Sequence, residues 1–127
     1  MDLLYQIKGI VKKFRGNGRR LGYPTANIEI DKDAPEGLYF GYTHLEENKL
    51  ASIIFIGAPI TLGVTSKRAE SYILDFEDRD LYGQEIKIEI IKKLRDNHKF
   101  ESVEKLIEQM KVDVQDAKDF FKKHYKR

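Results

Sequence analysis

Gly18-Arg19-Arg20-Leu21-Gly22-Tyr23-Pro24-Thr25-Ala26-Asn27 joins a glycine- and arginine-bearing loop to the start of an extended segment, and the remaining chain can be placed around it. Pro24 fixes its own φ and restricts Tyr23, so the loop runs into a strand with little freedom. Successive side chains of a strand point to opposite faces. Over Thr25 to Ile30, Ala26, Ile28 and Ile30 therefore share one face, and Thr25, Asn27 and Glu29 share the other. A hydroxyl and a carboxamide standing together just after a Gly/Arg loop suit the grip of a metal–phosphate group. The same residues also read as an ordinary Gly-Asn-Gly turn with solvated arginines, followed by the solvated face of an edge strand.

Outward from this stretch, the chain is a series of short extended segments. Tyr5 to Val11 precedes the basic loop, with Ile7 and Val11 on one face. Leu38 to Leu45 carries Leu38, Phe40 and Tyr42 on one side, and Glu46-Glu47-Asn48-Lys49 is placed as a hairpin loop. Leu50 to Ile56 is nearly continuous in apolar residues and reads as a strand buried on both faces. Ala58 to Lys67 is left as loop. Ala69 to Phe76 alternates, with Glu70 on the face of Tyr72, Leu74 and Phe76, and Glu77 to Gln84 is a charged turn. Glu85 to Leu94 sets Ile86, Ile88 and Ile90 against Lys87 and Glu89. The period then changes. Ser102 is placed as the cap of a helix with Val103, Leu106, Ile107 and Met110 inward, and Asp113 as the cap of a second, with Ala117, Phe120, Phe121 and His124 or Tyr125 inward. Six strands followed by helices predict a mainly β protein, a small antiparallel barrel closed by a C-terminal α-helical segment.

Composition narrows the function classes. The 127 residues are 41% hydrophobic and 35% charged, in the range of one ordinary globular domain, and residues 1–127 are read as a single one. With 23 basic against 21 acidic residues, the net charge of +2 gives little reason to expect nucleic acid or a membrane as partner. There is no cysteine, which excludes disulfides and thiolate zinc sites. Met1 to Gln6 lacks the basic and then apolar run of a signal peptide, and no window is as long as a membrane span, so a cytoplasmic protein is expected. Lys12, Lys13, Arg15, Arg19 and Arg20 raise a barrel for single-stranded nucleic acid as a competing idea, which the near-neutral balance disfavours.

The residues that carry chemistry are few. Amides around Gly16 and Gly18 can approach an anion closely, and Arg19 or Arg20 can add charge-assisted bonds. Neither a P-loop nor a dinucleotide fingerprint is present. Thr25 and Asn27 offer neutral oxygens, which would hold Mg²⁺ only when it arrives with its nucleotide. Glu70, among apolar neighbours, is the acid–base candidate if its strand is covered, and faces water if it is not. Arg95 and Phe100 bracket a polar loop and could flank a planar ligand, while Phe100 could equally be a hydrophobic staple before Ser102. His44, His98 and His124 lie far apart in sequence, without metal-like spacing.

Taken in order, these pieces resemble the riboflavin kinase family over nearly the whole chain. The strongest part is Gly18-Arg19 followed by Leu21 to Ile28. Further matches are Gly37-Leu38-Tyr39, Ile56-Gly57, Glu70 with Ile73 and Leu74, Leu81-Tyr82-Gly83, Leu94-Arg95 with Lys99-Phe100, and Ser102 through Leu106, Gln109, and Asp113 to Ala117. The resemblance implies a six-stranded Greek-key barrel that moves the γ-phosphate of ATP to the terminal ribityl hydroxyl of riboflavin, giving FMN. It implies Thr25 and Asn27 at Mg²⁺ and the phosphates, and Glu70 as the base. It also implies Gly16, Gly18, Arg19, Ile73, Asp75 and Tyr82 at the nucleotide, and Arg95, His98 and Phe100 at the flavin.

The chain departs from the family pattern at Lys13-Phe14, where a glycine is common, and in Gly57-Ala58-Pro59-Ile60, which lacks the usual Asn or Arg before its proline. Tyr72 stands where many members have histidine, and Asn97 where an acidic residue is frequent. With almost no chain ahead of the barrel and no His-x-Gly-His motif, a stand-alone monomer that stops at FMN is expected. A module of the same fold that binds flavin or nucleotide without turnover is the alternative.

Overall fold

The computed structural model describes residues 4–12, 22–30, 34–58, 67–77 and 79–124. The strands are β1 (Tyr5–Ile10), β2 (Ala26–Glu29), β3 (Gly37–Leu45), β4 (Asn48–Gly57), β5 (Arg68–Ile73) and β6 (Glu85–Arg95), followed by helix α1 (Val103–His124). They form one antiparallel sheet in the order β1-β6-β3-β4-β5-β2. In this order β3, β4 and β5 are consecutive neighbours and β6 returns beside β3, which is the Greek-key arrangement. The two outer strands then meet, because the Lys12 amide donates to the Asn27 carbonyl at 2.8 Å. That contact nearly closes the barrel and covers the edges that would otherwise be free to pair.

Alternation decides what lies inside. Ile86, Ile88 and Ile90 of β6 fill the barrel with Ile28, Ile54, Ile56 and Leu45, all at most 1% exposed. Leu38, Phe40 and Tyr42 point the other way from β3 and meet Ala117, Phe120 and Phe121 of the helix. Phe40 stacks on Phe120 with ring centroids 4.3 Å apart. Both faces of β3 and β4 are thus covered, one by the barrel interior and one by α1, which explains the continuous apolar run of β4. The hairpin between them turns on Glu46-Glu47, with Glu46 at φ 59°.

Alternation fails at two places in β6. Opposite β3, Gly41 pairs with Ile90 but Phe40 with Lys92, and Tyr39 pairs with Lys93 but Leu38 with Arg95. Ile91 and Leu94 are therefore bulged, and both pack toward the helix. Without the first bulge Lys92 would turn into the barrel after Ile91. Gly41 is required at this crossing, since a Cβ there would lie 2.2 Å from the Glu89 carbonyl oxygen.

Two sequence expectations need correction. Residues 103–124 form one continuous helix, and Asp113 lies inside it, 3% exposed, instead of capping a second. Its carboxylate accepts from Arg95 Nε at 3.0 Å, Arg95 Nη2 at 2.8 Å and Gln109 Nε2 at 2.9 Å, so an ion pair to the sheet replaces the capping role. Ser102 does cap, accepting from the Lys105 amide at 3.2 Å. The strand expected to reach Phe76 ends at Ile73, because Asp75 takes φ 55° and turns the chain. Phe76 consequently packs against the barrel core, while Leu74 and Tyr72 go with the helix.

The helix is held mainly by its C-terminal half, where Ala117, Phe120 and Phe121 are buried. Phe120→Ala is expected to cost about 3 kcal/mol, the low end for a buried phenylalanine. Val112→Ala, at a position 51% exposed, should change stability by less than about 0.5 kcal/mol. Urea denaturation of the two variants checks the contrast.

Candidate active site

β2 and β5 pair with Ala26 opposite Ser71, Asn27 opposite Glu70 and Ile28 opposite Ala69. Ala26 and Ile28 are interior, so this register puts Asn27 and Glu70 together on the other face. Just before β2, the Thr25 hydroxyl donates to Glu70 Oε1 at 3.1 Å. Asn27 Nδ2 lies 3.3 Å from Thr25 Oγ1 and donates to the Thr25 carbonyl oxygen at 3.2 Å. Amide, hydroxyl and carboxylate thus form one hydrogen-bonded chain, built from residues that a strand's period had placed on one face and from a carboxylate 45 positions later.

Burial of the Glu70 carboxyl pushes its pKa above the ordinary 4.5; the Thr25 hydrogen bond and the positive charge of Arg68 oppose the shift without cancelling it. A carboxylate in that condition holds a proton more readily than one in water. Tyr72, on the same side, is also raised by burial, with Tyr23 and Asp75 reinforcing and Lys118 opposing. The rings of Tyr72 and Tyr23 meet edge to face at 5.6 Å.

Beside this group lies a pocket lined by Val11, Pro24, Thr25, Ala26, Ser71, Tyr72, Ile73, Phe76, Arg79, Leu81 and Tyr82. Val11 and the turn before β6 are tied together, Val11 N–H donating to the Gln84 carbonyl at 2.8 Å and Gly83 N–H to the Val11 carbonyl at 2.9 Å. Thr25, Ile73 and Tyr82 of the expected nucleotide set line this pocket. Asp75 does not; it is exposed and pairs with Lys118 at 3.4 Å. Gly16, Gly18 and Arg19 lie outside the described residues. Sequence reading missed Arg79, which lines the pocket while binding Glu46 Oε1 at 3.0 Å. Its only signal was a cation in a charged turn.

The expected flavin residues occupy the link between β6 and α1. Arg95 stands over the Phe100 ring at 5.7 Å, and the His98 and Phe100 rings are 4.1 Å apart. Arg95 is otherwise bound to Asp113 and to the Asp96 carbonyl at 3.1 Å, so its guanidinium anchors the helix while shaping this link. Among the described residues no cluster of three or more His, Cys, Asp or Glu side chains could hold a metal, and no helix is long and apolar enough to cross a membrane.

The Greek-key barrel thus carries a buried carboxylate, a hydroxyl and a carboxamide beside a pocket. The chain belongs to the riboflavin kinase family, whose model (flavokinase, riboflavin kinase) matches residues 1–121. It is 37% identical over 128 residues to the bifunctional riboflavin kinase/FMN adenylyltransferase of Listeria monocytogenes, covering 94% of this chain and 39% of that one. It is 35% identical over 125 residues to the trifunctional protein RibF/MnmA of Mycoplasmoides gallisepticum, covering 96% of this chain and 19% of that one. The crystal structure of riboflavin kinase from Trypanosoma brucei superposes with a TM-score of 0.66 at 25% identity, covering 94% of this chain and 78% of that one. The chain spans less than half the length of these two curated relatives.

Because the folded state raises the Glu70 pKa, this group's contribution to stability is fully present below pH 4.5 and is lost as pH rises through the raised value. Glu70→Gln, which mimics the protonated side chain and can still accept from Thr25, should melt above the wild type at pH 7 to 8. Its advantage should vanish as pH falls below 4.5. Thermal melts of both proteins across that range are the check.

Proposed function

We propose that this chain is a riboflavin kinase, transferring the γ-phosphoryl group of ATP to the 5′-hydroxyl of riboflavin to give FMN and ADP. The observation that carries the reading is the Asn27–Thr25–Glu70 chain beside the rim pocket, in a member of this family. Phosphoryl transfer needs alignment and charge stabilisation more than covalent help from the protein, so these few parts suffice.

The Glu70 carboxylate takes the proton of the 5′-hydroxyl as its oxygen bonds to the γ-phosphorus. The bond from that phosphorus to the β–γ bridging oxygen breaks, and the electron pair leaves with ADP. Burial suits Glu70 to this role by making it a stronger base than a solvated glutamate. Thr25 and Asn27 are the residues that would hold Mg²⁺ accompanying ATP. Both offer neutral hard oxygens, and Asn27, with its amide nitrogen turned to Thr25, keeps its oxygen for the ion. Bound there, the ion supplies neutralisation of the phosphate charge. Ile73 and Tyr82 in the pocket serve the nucleotide, with Gly16, Gly18 and Arg19 assigned to its phosphates on sequence alone. His98 and Phe100 serve the flavin, and Arg95 supports them from the helix anchor.

Incubation of the purified chain with Mg·ATP and riboflavin, followed by chromatographic separation of FMN, tests the reading. No FMN and no binding of either ligand would end it; tight FMN binding without turnover, unaffected by Glu70→Gln, would make the chain a flavin-binding module. For the enzyme, Glu70→Gln should lower kcat by about 10² to 10⁴ with riboflavin affinity little changed. Activity should fall on the acid side at a pH above that of an ordinary glutamate, since the base must be ionised. Asn27→Ala should raise the Mg·ATP concentration needed for half-maximal rate, and an unaltered metal response would contradict its assignment.

A further inference from the structure

We propose that Asn97 is a positioning residue for the flavin side of the site: its carboxamide latches the β6–α1 link to the end of β4 and so sets where the ring-binding residues stand relative to Glu70. The inference rests on the riboflavin kinase reading and adds a residue to it.

Asn97 Nδ2 donates to the Ile56 carbonyl oxygen at 2.9 Å. A carbonyl can only accept, so the nitrogen must face it. Asn97 Oδ1 is then buried with no hydrogen-bond donor among the described residues. The side chain is thus tied to the sheet through its nitrogen alone.

The latch point is close to the base through the sheet. Ile56 follows Phe55, and Phe55 is the residue opposite Glu70 across β4 and β5. At Gly57 a Cβ would lie 2.6 Å from Asn97 Nδ2, so the missing side chain is what leaves room for the amide there. Arg95, at the same end of the link, is fixed on Asp113. His98 and Phe100 sit just beyond Asn97, their rings 4.1 Å apart. The start of the link is therefore held twice, to the helix through Arg95 and to the strand that faces Glu70 through Asn97, and the second hold is a single hydrogen bond.

The residue type matters. An ionised carboxylate at position 97 has no proton to donate and would repel the Ile56 oxygen, so this contact is specific to the amide. A small shift of a substrate-positioning segment is enough to spoil alignment at the reacting atoms.

The test uses the full chain with Asn97→Ala and Asn97→Asp, read by riboflavin fluorescence quenching and by steady-state kinetics. Riboflavin Kd and KM should rise about tenfold in Asn97→Ala and further in Asn97→Asp, while KM for Mg·ATP stays at the wild-type value. Unchanged riboflavin affinity in both variants overturns the proposal. So does a parallel rise in both KM values with a lowered Tm, which marks a purely structural role. Asn97→Asp is nearly isosteric and carries the test alone if Asn97→Ala fails to fold. A wild-type chain that binds riboflavin but forms no FMN defeats the kinase reading and leaves the quenching result to decide the latch; one that binds no riboflavin overturns both.

Discussion

The β2–β5 pairing is the constraint on which the site depends. It is only four residues long, yet it fixes Asn27 opposite Glu70 and Ala26 opposite Ser71. A slip by one residue would carry Asn27 into the barrel and Ile28 out of it, because side-chain direction alternates at every step. Ile28, at 0% exposure, opposes the slip with the burial of a whole isoleucine side chain, worth about 1.5–3 kcal/mol. The Lys12–Asn27 bridge adds a backbone bond at the same point. Hydrophobic register thus places the polar group, and the chemistry inherits its geometry from packing.

That dependence explains which parts were readable. Thr25, Asn27 and Glu70 could be picked out because strand period and apolar neighbours are local properties. Their hydrogen bonds could not, since Glu70's partner lies 45 positions away and is set by sheet order. The isoleucine alternation of β6 was plain up to Ile90. The bulges at Ile91 and Leu94 were not, because each answers to the partner strand and to the helix covering it. Asp113 illustrates the same point from the helix. Aspartate before an apolar run is a sound cap signal, but a bidentate bond to Arg95 outweighs it and keeps the helix continuous. Arg95 was expected beside a ligand for equally local reasons, whereas its pairing with Asp113 depends on how the helix docks.

The site also carries a cost that stability alone would not select. Glu70 is desolvated, and neither Thr25 nor Arg68 fully offsets this. Ionisation of this carboxyl, which the proposed proton abstraction requires, therefore costs more in the folded protein than in water. Such a conflict is expected where a residue is placed for function instead of folding.

β5 must hold that carboxylate still, and the barrel interior supplies the means. Ser71, beside Glu70 but pointing inward, bonds to Thr43, which bonds to Ser52 at 2.8 Å, and Ser52 reaches the Leu50 carbonyl at 2.9 Å. All three hydroxyl residues are at most 1% exposed. Counting protons fixes the direction of the chain. The Leu50 oxygen can only accept, so Ser52 donates to it; Thr43 must then donate to Ser52, and Ser71 to Thr43. Each hydroxyl hydrogen is used once, and the row links β5 to β3 and β4 with its donors satisfied. A one-residue shift of β5 would swing Ser71 out of this row and leave Thr43 only its bond to Ser52, the loss of one buried hydrogen bond, about 0.5–1.5 kcal/mol. The apolar pattern thus selects the face on which Glu70 emerges, and the hydroxyl row selects the step along the strand at which it does so.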